Sequence, residues 1–145
     1  MNIPADIHER VVELTNAIIH AGQSGDAEAG ESRYQELSDY CDAVAADGRD
    51  HPFLWETLGD FTDDDHDAIG LYLRALPLAI SANAADYAAS ICLAVAERHS
   101  NLDAFDAARD YAQQAAAFAS STDDAPLRAL INQFLLDHAE AADED

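Results

Sequence analysis

Tyr34, Tyr72 and Tyr111 stand 38 and 39 residues apart, and each closes the same short pattern. An aspartate is followed four residues on by a small residue and four further on by the tyrosine: Asp26, Gly30, Tyr34; Asp64, Ala68, Tyr72; Asp103, Ala107, Tyr111. A carboxylate at a helix start accepts from the free N–H groups of the first turn, and residues four apart share one helix face. A unit repeated at a fixed period of this size cannot bury its apolar side alone, so it stacks on its neighbours. The spacing predicts an all-α array of antiparallel helical hairpins, about seven helices in a single domain.

The strongest unit runs from Trp55 to Ala75, a short helix, an acidic turn and a second helix. Around it, Ile7, Val11, Leu14 and Ile18 form one stripe on a helix expected over 6–21, and Asp26 opens a second that stops near Gly48. A short third helix is expected from Phe53 to about Phe61 and a fourth after DDDHD (63–67), kinked at Pro77 and ending by Ser81. The fifth, Ala84 to about Arg98, reads as apolar all round and therefore buried. Asp103 is expected to cap a sixth that carries Tyr111 and Phe118. A seventh, from Pro126 with Leu127, Leu130, Ile131, Phe134 and Leu135 on one stripe, is expected to cap the array. The repeats fall at about 6–47, 52–82 and 84–120, the capping helix at about 125–141, and the tail AEAADED should fray.

Charge narrows the partners. The chain has 29 Asp plus Glu against 7 arginines and no lysine, a formal net charge of −22. Such a field repels phosphate backbones and anionic membrane surfaces, and it draws in a basic protein or peptide. Acidity that serves only solubility or a salty environment is the competing explanation. MNIPADIHERVV has no basic start followed by an apolar run, so a cytoplasmic protein is expected. Cys41 and Cys92 sit in expected helices and read as small buried hydrophobes.

No catalytic or metal-binding constellation stands out. The six histidines are scattered singly, without HExxH or CxxC. A calcium loop begun at Asp63 would need a glycine at Ala68 and a glutamate at Arg74. DDDHD is better read as a capping turn, Trp55 as helix-pair core, and no cofactor or metal is expected.

These residues resemble the tetratricopeptide repeat. The second unit matches best, with Trp55, Leu58-Gly59, Ala68, Tyr72 and Ala75; the first keeps Leu14, the GDAEAG turn, Tyr34 and Leu37; the third keeps Asp103, Ala107 and Tyr111 but has Gln114 where a small residue is expected. The likeness covers about residues 11–120. It departs in period, longer than the usual ~34, and in a middle hairpin shortened by about one helical turn between Leu58 and Ala68. The resemblance implies a right-handed superhelix and a non-catalytic scaffold whose first helices line a concave groove. On that alignment Thr15, Asn16, Glu56 and Asp60 face the groove, which suits a basic or neutral protein ligand. An immunity-type inhibitor of a basic toxin is the most specific form of this expectation. An adaptor or chaperone using an apolar groove, and an acidic nucleic-acid mimic, are the alternatives.

Overall fold

Helix boundaries follow the turn chemistry closely. The computed structural model describes residues 1–143, with side chains to residue 139, and among them seven α-helices and no strand. They are α1 (Ala5–Gln23), α2 (Ala27–Ala46), α3 (Pro52–Asp60), α4 (Asp65–Ser81), α5 (Ala85–Asn101), α6 (Phe105–Ala119) and α7 (Ala125–Asp143). Each packs mainly on its sequence neighbour: α1 on α2, α3 on α4, α5 on both α4 and α6, and α7 on α6. Glu144 and Asp145, the end of the tail expected to fray, lie outside the described residues.

Four helices, α1, α2, α4 and α5, end in one way. A residue in the left-handed region follows the C-cap: Gly25 (φ 71°), Gly48 (φ 81°), Asn83 (φ 56°) and Asp103 (φ 60°). The next N–H then reaches back to the carbonyl five residues earlier: Asp26 to Ala21 at 3.0 Å, Arg49 to Val44 at 3.1 Å, Ala84 to Ala79 and Ala104 to His99 at 2.9 Å. This closure satisfies carbonyls the helix leaves free. Asparagine and aspartate tolerate the left-handed region better than other side-chain-bearing residues.

The third Asp-small-Tyr pattern is therefore out of register with the other two. Asp26 and Asp64 cap α2 and α4, accepting from Ala29 N at 3.0 Å and Asp67 N at 2.9 Å. Asp103 caps nothing: it holds the left-handed turn, and Ala104 is the N-cap of α6, without a side-chain bond. Counted from the true cap, α6 presents Ala108, Ala112, Ala115 and Ala119, all buried, where α4 presents Ala68, Tyr72, Ala75 and Ala79. Tyr111 lies one position aside and stacks on His99, with ring centroids 5.6 Å apart. Asp26→Ala should lower stability by about 1 kcal/mol in thermal or urea unfolding. Asp103→Gly should leave it unchanged or raise it by at most about 0.5 kcal/mol, since no cap is lost and φ is relieved.

The main core runs from Ile7, Val11 and Leu14 of α1 through Leu37 and Cys41 of α2, Leu54, Trp55 and Leu58 of α3, and on to Ile91 and Val95 of α5. A second cluster, Ala89, Cys92, Leu93, Ala115, Ala119 and Ile131, seats α7. Among the α7 side chains described, only Ile131 is fully buried, and Leu130, placed by its spacing on the packing stripe, is 62% exposed. Every buried residue of α6 is an alanine, and such small side chains let it approach α5 closely. α4 passes through Pro77 and ends at Ser81. The carbonyl that loses its donor there belongs to Leu73, on the exposed side of the helix, where water can replace the bond. Cys41 and Cys92 are free and buried. Burial pushes their thiols up to about 12 and about 11, so neither is a reactive thiolate.

Candidate functional site

α3 is short and lies between α1 and α5, with a different link to each. Toward α1, the His8 ring stacks on Phe53 at 5.7 Å. Toward α5, the Ser90 hydroxyl donates to the Glu56 carboxylate at 2.6 Å. The end of α3 is held from α5 by Arg98, which donates to Gly59 O at 3.1 Å, Asp63 O at 3.3 Å and Asp65 Oδ1 at 3.1 Å. Asp60, one turn beyond Glu56, accepts from the Tyr72 hydroxyl at 2.6 Å. The result is a face built from α1, α3 and α5.

Carboxylates crowd the α3–α5 part of it. Burial raises Glu56 most, to about 7; the Ser90 hydrogen bond works against this, while Asp60 and Asp86 add to it. Burial also raises Asp60, opposed by the Tyr72 hydroxyl and Arg98. Asp60 is nonetheless exposed as a whole, with its Oδ1 held by the Tyr72 hydroxyl. Glu97 is raised by burial and by Asp60, against Arg98, and Tyr87 by burial, Glu56 and Asp86. Glu56 thus feels Asp60 and Asp86, and Glu97 feels Asp60, across two helices.

Arg98 alone offsets part of this, at Asp60 and Glu97, and all seven arginines have partners elsewhere. Arg10 and Arg33 reach Glu13 and Glu36, Arg49 reaches Asp6, Arg98 reaches Asp65 and Arg109 reaches Asp106. Arg74 lies over the Trp55 ring, 3.4 Å from its centroid, and Arg128 donates to Thr122 O. Only Arg98 adjoins the acidic face, with its donors already placed on two carbonyls and Asp65.

Of the residues that the repeat likeness points to, Glu56 and Asp60 come together in this cluster. Thr15 and Asn16 do not join it. The Thr15 hydroxyl donates back to Val12 O at 3.0 Å, and Asn16 is exposed. Thr15 lies two turns after His8 on the side of α1 that meets α3, between the exposed Val12 (38%) and Ile19 (46%). Trp55 is 1% exposed, and its indole N–H donates to Asp50 Oδ1 at 2.7 Å, so it belongs to the core. In DDDHD, Asp64 caps α4 and Asp65 is taken by Arg98 and Asn101. Among the described residues no group of three His, Cys, Asp or Glu is placed to hold a metal, and no helix is long and apolar enough to cross a membrane.

Asp86, Ser90 and Glu97 were not legible as site residues, because α5 reads as uniformly apolar. It is not buried all round: Ala88, Ala89, Ile91, Cys92, Leu93, Val95 and Ala96 are buried, and Glu97 is exposed. Asp86, Ser90 and Glu97 recur at i, i+4 and i+11, one polar stripe on an apolar helix, and that spacing was the available signal. Comparison with protein-family models, with curated proteins and with solved structures found no match, so the case for function rests on this acidic face itself.

Proposed function

We propose that this chain is a non-catalytic binding module that captures a basic protein or peptide on the face formed by α1, α3 and α5. One observation carries the reading: half-buried Glu56 lies near Asp60 and Asp86, and Glu97 near Asp60, while Arg98, the arginine beside them, is already bonded to Asp65. Charges so placed repel one another, and a partner's guanidinium or ammonium group would turn that repulsion into attraction. The likeness to tetratricopeptide repeats supports the same reading, as does the −22 charge, which steers a cation from a distance. An immunity-type inhibitor that occludes a basic toxin is its most specific form.

The test is a titration of a dye-labelled heptaarginine peptide into the protein. Binding should weaken by roughly tenfold or more in Glu56→Gln/Glu97→Gln, about 1.4 kcal/mol. A heptaglutamate peptide should not bind at all. Affinity should also rise with pH through about 7, where Glu56 sheds its proton. An unchanged affinity in the double variant would remove this face from the account. The adaptor reading has one observation of its own, exposed Val12 and Ile19 beside Thr15 on α1. It predicts binding of an apolar peptide that is indifferent to those two substitutions.

A further inference from the structure

Where the first hairpin meets the second, an open cleft of about 790 Å³ separates the α1–α2 turn from the α3–α4 turn. Ile18, Tyr34 and Phe61 line it with half-buried apolar surface. One hydrogen bond joins its two walls. Thr62 donates its hydroxyl proton to Leu58 O at 2.7 Å, so the Tyr34 hydroxyl, 2.7 Å from Thr62 Oγ1, is the donor of that pair. Carboxylates line both sides: Asp26, the N-cap of α2, and Glu31 on one, and Asp60, Asp63, Asp64 and Asp67, from the end of α3 to the start of α4, on the other. No arginine is among the lining residues. Arg98, which anchors the same turn, donates to the backbone of Asp63 and to the Asp65 carboxylate.

We infer that this cleft is a second binding site, one that takes a short arginine- or lysine-bearing segment of a protein partner. The chemistry is that of a long cationic side chain, an aliphatic stem ending in a charge. Its stem would lie along Ile18 and against the Tyr34 and Phe61 rings, whose faces also attract a cation. Its head would meet the rim carboxylates. The volume is in the range of about 300–1,000 Å³ that holds a compact ligand, more than one side chain fills. The complementary charge selects the occupant: a second copy of a chain carrying −22 would meet its own sign. The inference rests on the reading that the protein binds a basic partner, and adds a place for part of it that adjoins the α3–α5 seam at Asp60 and extends to the α1–α2 turn.

Two variants separate the sites. A Cβ on Gly30, a cleft-lining residue, meets only Ala21 Cβ at 3.8 Å, ordinary van der Waals contact, so Gly30→Leu adds bulk at the cleft wall with better helix propensity. Asp63→Asn/Asp67→Asn removes rim charge from exposed side chains that cap no helix. The probe is a dye-labelled peptide with a central leucine flanked by arginines, followed by fluorescence anisotropy at low salt. Each variant should weaken binding by roughly tenfold or more, with Glu56→Gln/Glu97→Gln weakening it independently. If Gly30→Leu unfolds the protein by circular dichroism, the Asn pair decides alone. Loss of affinity in the α3–α5 variant with none in the cleft variants overturns the cleft and leaves the first reading standing. Failure of the wild type to bind any cationic peptide overturns both. Equal binding of a leucine-rich neutral peptide, insensitive to salt, would make the cleft an apolar site and contradict its cationic occupant.

Discussion

Gly59→Ala should destabilise the protein by about 2–3 kcal/mol, a large loss for a single methyl group. A Cβ at that position would sit 2.7 Å from Tyr72 Cε1 and 3.0 Å from Cδ1 and Cζ. The ring has little freedom to retreat, since Tyr72 is 2% exposed and its hydroxyl is tied to Asp60. In an exposed helix the same change would stabilise by about 1 kcal/mol through propensity, so the sign itself is diagnostic. Urea unfolding of Gly59→Ala, Tyr72→Ala and the double variant forms a cycle. Tyr72→Ala alone should be severely destabilised, and Gly59→Ala on that background should cost nothing or help. If Gly59→Ala lowers stability equally in both backgrounds, the contact between α3 and α4 is not what glycine serves there.

The second large effect concerns charge. Glu56→Gln should stabilise the protein at pH 8 and make almost no difference near pH 4.5. The folded-state value is raised from 4.5 to about 7, so the folded protein binds the proton more tightly than the unfolded chain. The stability contributed by that proton is fully present below 4.5 and is lost as pH rises through about 7. The gap corresponds to at most about 3 kcal/mol, less where solvent screens the carboxylate's open edge. Glutamine keeps an acceptor for Ser90 and never carries the charge. His51 acts oppositely. Buried with its Nε2 unpartnered and Nδ1 accepting from Phe53 N at 3.0 Å, it is held below 6.5, chiefly by burial. Its contribution is present above 6.5 and declines as the pH falls below that value. The difference between variant and wild type across pH isolates Glu56, and a pH-independent difference would contradict the proton linkage.

The two effects meet on α3, where sequence and structure agree in part. Gly59 and Tyr72 carry the repeat pattern because one must be small for the other to pack. That requirement is local enough to be written into spacing. Asp26 and Asp64 were legible for the same reason, a cap being a matter of a few residues. Asp103 was not, because aspartate suits both a cap and a left-handed turn, and only the backbone decides between them. Replacement of the α6 tyrosine position by Ala112 hid the one-residue shift, while Tyr111 found a partner in His99. The acidic seam was half legible. Glu56 and Asp60 lie one turn apart on one helix, whereas Asp86 and Glu97 join them only when α5 packs beside α3. Leu130 shows the limit from the other side, an apolar residue at the right spacing on a terminal helix with no neighbour to cover it.

Cation recognition by the acidic face makes heptaarginine binding depend on salt. Between about 50 mM and about 500 mM salt the affinity should fall steeply, by tenfold or more, as screening shortens the reach of the charges. The slope of its logarithm against that of the salt concentration should be shallower in Glu56→Gln/Glu97→Gln than in the wild type. Binding that is unmoved by salt, or a slope identical in the two proteins, would contradict it.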